Sequence, residues 1–181
     1  RDLPFGVSGF YSPKTDTIAI PVNRFQSDED ALLVITHETV HYAQHRFNRK
    51  AFSRSDELAK EFVEGFAQYV TKKLFGKLSG MLELYHELGV PEHYSAGRKK
   101  FEEIQEVYGE ERVKEIALHG TPEEFQSMWE SAHSALESRH RAEAEEALKK
   151  LDELIRGVIK ESFADPDGMV SFAMQNCKKY N

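Results

Sequence analysis

The sequence predicts an α+β fold that is predominantly α-helical, with a small N-terminal β-hairpin or sheet. Two observations predict the helices. Apolar residues recur at steps of three and four from residue 28 onward, and capping residues stand at the heads of those runs. A third observation predicts the sheet: before residue 27 the apolar residues form two short runs around a turn-forming segment.

Phe5 to Tyr11 is rich in aromatic and small residues, including Gly6 and Gly9. Ser12-Pro13-Lys14-Thr15-Asp16 is turn chemistry. Thr17 to Val22 is the second run, and Pro21 ends that strand or puts it at an edge. Ser27, ahead of Asp28-Glu29-Asp30, is a good N-cap with acids in the first turn. Leu32, Leu33, Ile35, Thr36, Val40 and Phe47 follow at helical spacing, so a helix is expected over residues 28–47. Ser53 or Ser55 is expected to cap the next helix, which carries Leu58, Phe62, Phe66, Tyr69, Val70 and Leu74 and stops at Gly76. Further helices are expected near 78–88, 97–118 and 122–155. Thr121 and Glu124 form a capping box, with Pro122 at the first helical position.

The chain has 181 residues, enough for one well-buried domain and short for two. We read it as a single domain, 1–181: a β-rich part (1–26), a pair of site-bearing helices (27–76) and a helical C-terminal part (77–181). The net charge of −7 disfavours a broad basic face for nucleic acid. No apolar run reaches the length of a membrane span. The single cysteine, Cys177, rules out a disulfide within the chain and a zinc site built on several thiolates. With no charged-then-apolar leader in view, this tilts the expectation slightly towards a cytoplasmic setting, although a start at Arg1 leaves the true N-terminus open.

Within the first long helix stands His37-Glu38-Thr39-Val40-His41, an HExxH pattern. Residues four apart on a helix share a face, so the two imidazoles can converge on one metal ion. Glu38 lies one step round the helix, beside the metal, where it can take a proton from an attacking water. The bland alternative is a solvated face. Leu33, Ile35 and Val40 on the same helix, and the capped start, argue instead for a packed one.

A catalytic zinc needs a third protein ligand. A histidine six residues beyond His41 is absent, because Phe47 stands there. His45 is a further turn along one straight helix, too far to share the ion, and is read as a surface residue or a support for a ligand. The following helix offers Glu57, Glu61 and Glu64. Glu64 stands out because Gly65 and Ala67 beside it allow two helices to approach closely.

HExxH followed by Glu64-Gly65-Phe66-Ala67-Gln68-Tyr69 resembles the gluzincin metallopeptidases, and the small peptidase MA-like and minigluzincin proteins in particular. The resemblance covers about residues 5–76. It implies Zn2+ held by His37, His41 and Glu64, with Glu38 as general base. It also implies a strand forming the upper rim of the cleft, for which Thr17 to Val22 is well placed. Many gluzincins have an acid four residues after the ligand glutamate to orient a histidine; here that position is Gln68, whose amide oxygen accepts an imidazole N–H more weakly. Glu61 is the alternative as ligand or as such a support.

The expected reaction is hydrolysis of a peptide or protein substrate. Tyr85, His86, His93, Tyr94, His119, His133 and His140 are all candidates for the oxyanion donor, with Tyr85 and His133 put forward. Trp129 is read as a core anchor. A thiolate at Cys177 could block the metal in a latent enzyme. Two other functions compete: a catalytically inactive or regulatory zincin-like domain that binds a protein partner, and a helical interaction module using the charged 137–155 helix. Oligomeric state is not legible.

Overall fold

The structure is a computed structural model and describes residues 9–20, 25, 27–76 and 93–164, with residues 93, 94 and 158–164 described by backbone alone. Its order is β1 (Phe10–Ser12), β2 (Thr17–Ala19), α1 (Asp28–Phe47), α2 (Arg49–Phe52), α3 (Glu57–Phe75), α4 (His93–Tyr108), α5 (Glu110–His119) and α6 (Pro122–Ala164). The α+β class with helices dominant is as expected. The chain divides into two compact units, Arg1–Leu136 and Glu137–Asn181. That division falls inside the stretch read from sequence as one helical part.

β1 and β2 pair antiparallel, with Tyr11 opposite Ile18. β1 extends one residue beyond the expected Tyr11, to Ser12; residues 5–8 and 21–22 of the two expected runs lie outside the described residues. α1 has the expected bounds. Ser27 Oγ accepts from the Asp30 N–H at 3.2 Å, and three acids occupy the first turn. At its far end Asn48 closes α1 and caps the unexpected short helix α2, accepting from the Ala51 N–H. The Asn48 amide also donates to the Gly120 carbonyl at 2.6 Å, and that of Gln44 to the Ala117 carbonyl at 3.2 Å. These amides tie the end of α1 to the end of α5.

α3 is capped by Asp56, not by Ser53 or Ser55. The Asp56 carboxylate accepts from the Ala59 N–H at 3.1 Å, while the Ser53 hydroxyl donates back to the Lys50 carbonyl. A carboxylate also complements the positive end of the helix dipole. Gly76, at φ +69°, ends α3 in the left-handed conformation that favours glycine. The single helix expected over 97–118 is broken at Gly109, whose φ of +84° separates α4 from α5. The capping box forms as expected, with Glu124 accepting from the Thr121 N–H and Thr121 from the Glu124 N–H. The helix expected at 78–88 lies outside the described residues.

The core of the first unit is aromatic. Phe62, Phe101 and Phe125 are fully buried, and Phe101 stacks on Phe125 with centroids 4.4 Å apart. Trp129 packs against this cluster, as its sequence reading anticipates. α3 reaches the core by crossing α4 backbone to backbone. A Cβ on Gly65 would lie 2.5 Å from Gly97 Cα, and one on Gly97 would lie 2.0 Å from the Glu61 carbonyl oxygen. Gly65 therefore lets α3 approach α4; the sequence reading assigned it to the approach of the metal-bearing helices. Gly97→Ala is expected to destabilise the fold by about 1–3 kcal/mol through overpacking. Thermal unfolding monitored by circular dichroism checks this, as a loss of several degrees in Tm.

Candidate metal centre

α1 and α3 bring three side chains together. His37 Nε2 and His41 Nε2 lie 3.1 Å apart, and Glu64 Oε2 is 3.2 Å from the first and 3.1 Å from the second. The imidazole planes meet at 88°, which lets one nitrogen of each ring aim at a common point. His37 and His41 are there because they are one turn apart on α1. Glu64 is there because α3 packs alongside α1, with Phe62 and Phe66 buried in the core.

Protons alone do not satisfy this triangle. An imidazole nitrogen either donates or accepts, and an ionised carboxylate only accepts, so three mutual contacts near 3.1 Å cannot all be hydrogen bonds. A cation shared by three lone pairs satisfies all of them. Ligand atoms held at about 2.0–2.1 Å in a tetrahedron stand about 3.3–3.4 Å apart, close to the spacing found. The residues fit a metal, and His37, His41 and Glu64 form a group that could hold one.

The electrostatics agree. Burial works to raise the Glu64 pKa, but His41, aided by hydrogen bonds from both histidines and by His37, holds its carboxyl well below the usual carboxylate range. Burial works to lower the pKa of His41; the charge of Glu64, its hydrogen bond and the charge of Glu38 outweigh that and raise it. The site thus concentrates negative charge on two imidazoles, the arrangement a cation would replace.

Glu38 is 6% exposed and lines the same cavity, of about 430 Å³, as the three candidate ligands. Its pKa is raised, chiefly by burial, against the opposing charges of His41 and His37. The backbone N–H of Tyr11 donates to its carboxylate. A raised folded-state pKa means that the folded chain binds this proton more tightly than the unfolded one. The stability it contributes is present in full below the unfolded value of about 4.3 and is lost as pH rises through the folded value. Ionised Glu38 therefore counts against folding at neutral pH. In metal-free protein, Glu38→Gln is expected to melt higher than wild type at pH 8, with the gap closing towards pH 4, as thermal melts across that range would report.

Among the described residues, β1 contributes to the lining of the cavity and β2 does not. Gly9, Phe10, Tyr11 and Pro13 line the cavity. Tyr11 also anchors the hairpin to α1: its hydroxyl donates to Asp16 Oδ1 at 2.8 Å and lies 2.7 Å from His45 Nδ1. One hydroxyl proton serves one bond, so His45 donates to Tyr11. His45 is thus a strut for the hairpin, outside the metal group. Sequence gave no signal for Tyr11, because its link to Glu38 runs through the backbone.

Other expected residues lie elsewhere. Glu61 accepts from the ammonium of Lys100 on α4 and is not one of the converging ligands. Gln68 does not orient a histidine: its Oε1 and the Nδ1 of His41 are both buried without a hydrogen-bond partner among the described residues. His133 Nδ1 lies 2.9 Å from Glu103, to which Trp129 also donates, and does not line the cavity. His119 packs edge-on against Phe47, and His140 is exposed in the second unit. Tyr85, His86 and Cys177 lie outside the described residues, as do the side chains of His93 and Tyr94. Among the described residues, no helix is long and apolar enough to cross a membrane. The protein-family models, the curated proteins and the solved structures compared with this chain contain no match to it.

Proposed function

We propose that the chain is a zinc-dependent peptidase of the gluzincin type. One observation carries the reading: two histidines of an HExxH helix and a glutamate from the next long helix converge at 3.1–3.2 Å, with a buried glutamate beside them in one cavity. Zinc suits a donor set of two imidazoles and one carboxylate, and when bound it supplies Lewis acidity towards a carbonyl and towards water. His37, His41 and Glu64 would hold it.

The rest of the chemistry belongs to the chain. Glu38 takes a proton from the attacking water at its carboxylate and passes it to the leaving amine. Glu38 is 6% exposed in the wall of the same cavity, so its carboxylate meets the attacking water away from bulk solvent. The Tyr11 N–H holds the carboxylate towards the cavity. The presence of Glu38 in this cavity supports catalysis over partner binding alone, because a purely structural metal has no use for a base there.

Chelation is the direct test. Hydrolysis of a mixed peptide pool by the purified protein should cease when metal is removed and return when one equivalent of zinc is restored. Metal binding without hydrolysis would favour the partner-binding reading.

A further inference from the structure

The candidate cavity does not share the acidity of the chain. Among the described residues its lining holds two acids, Glu38 and Glu64, and two cations, Arg54 and Lys60. Glu64 would be spent on a metal ion, and a divalent cation there would leave the lining positive. The acids that pair with the two cations, Asp56, Glu57 and Glu123, are not lining residues.

The two cations differ in how firmly they are held. Arg54 is clamped by two acids, Asp56 at 2.8 Å and Glu123 at 2.6 Å. Lys60 pairs with Glu57 at 2.6 Å, and both side chains are open to water, at 43% and 75% exposure. An exposed pair of this kind is worth about 0–1 kcal/mol, so exchanging one carboxylate for another at Lys60 costs little. Lys60 also sits four residues before Glu64, one turn away on the same face of α3. Ala51, Phe52, Ala59 and Val63 add apolar wall to the same cavity.

We propose that Lys60 is a specificity determinant that selects peptides bearing a carboxylate near the bond to be cleaved. This rests on the peptidase reading above. The carboxylate can be a free C-terminus or an acidic side chain; the recognising chemistry is the same. The ammonium of Lys60 releases Glu57 and takes the substrate carboxylate, with Arg54 remaining in its clamp.

Three matched peptide pools test this: uncharged side chains with a free C-terminus, amidated with one aspartate, and amidated with uncharged side chains. Two readouts are needed: kcat/KM on zinc-loaded protein, and fluorescence anisotropy of labelled peptides with metal-free protein. A carboxylate pool should be preferred over the uncharged amide by about tenfold, the lower end for a hydrogen bond between charged groups. The preferred pool identifies the source. Lys60→Gln should bring the ratio close to one, Lys60→Glu should invert it, and Glu57→Gln should raise it, with unchanged thermal melts showing that each variant folds. Hydrolysis with no carboxylate preference, or a preference that survives Lys60→Glu, would overturn the proposal and leave the peptidase reading intact. Carboxylate-dependent binding that is lost in Lys60→Glu, with no hydrolysis of any pool, would support the proposed recognition and overturn the peptidase reading instead.

Discussion

Glu38→Gln is expected to lower peptide hydrolysis by about 10²–10⁴-fold, the usual contribution of a general base, while metal content stays at one ion per chain. The amide keeps the size of the carboxylate but cannot take a proton. It can still accept the Tyr11 N–H through its carbonyl oxygen, so β1 should hold its place. The loss should fall mainly on kcat, because Glu38 acts on the reacting atoms. Stopped-flow or fluorogenic assays beside elemental analysis of the same sample would read both quantities. A variant that hydrolyses at the wild-type rate would remove Glu38 from the mechanism, whatever the metal does.

Glu64→Gln is expected to weaken zinc binding by more than about 100-fold, beyond the 10–100-fold typical of residues that merely support ligands. The substitution removes the one charged ligand and leaves two neutral imidazoles. Glu61→Gln is the control, since both glutamates lie on the same helix and both were candidates from sequence. Glu61 is engaged with Lys100, so its loss should cost stability, about 1–3 kcal/mol, and leave metal affinity unchanged. Competition with a chromophoric zinc chelator gives the affinities, and thermal melts separate the two effects. Equal loss of zinc in both variants would show that the ligand assignment is wrong.

The bounds and cap of the first helix of the site were legible, but not its packed face: Leu32, Ile35 and Phe47, counted in its apolar spacing, are exposed. Ser27, its three following acids and the apolar spacing are local signals, and local signals survive folding. The pairing of His37 with His41 was legible for the same reason, because helical periodicity alone puts them on one face. Glu64 was singled out by the small residues beside it and by a resemblance in a short motif, and it does lie with His37 and His41. The features that were misread depend on tertiary neighbours. Gly65 looked like a spacer between α1 and α3, but its partner, Gly97, is thirty-two residues further on in α4. Glu61 and Gln68 have the right spacing to support the site, yet Lys100 engages the first and burial isolates the second. Asp56 outcompeted two serines as a cap, and Arg54 bonds to the same carboxylate. β1 lines the cavity, and Tyr11 ties it to Asp16 and His45, the latter a contact between segments thirty-four residues apart.

The cavity's cations were equally hidden. The net charge of −7 gives no sign of them. Charge at a site is set by the few residues that line it, and here Lys60 and Arg54 stand where the acids that balance them do not.

Zinc content of the purified protein, measured together with that of Glu64→Gln, tests the central claim most directly. The account predicts one zinc per wild-type chain after reconstitution and a large loss in the variant. A wild-type chain that takes up no metal under those conditions would contradict it.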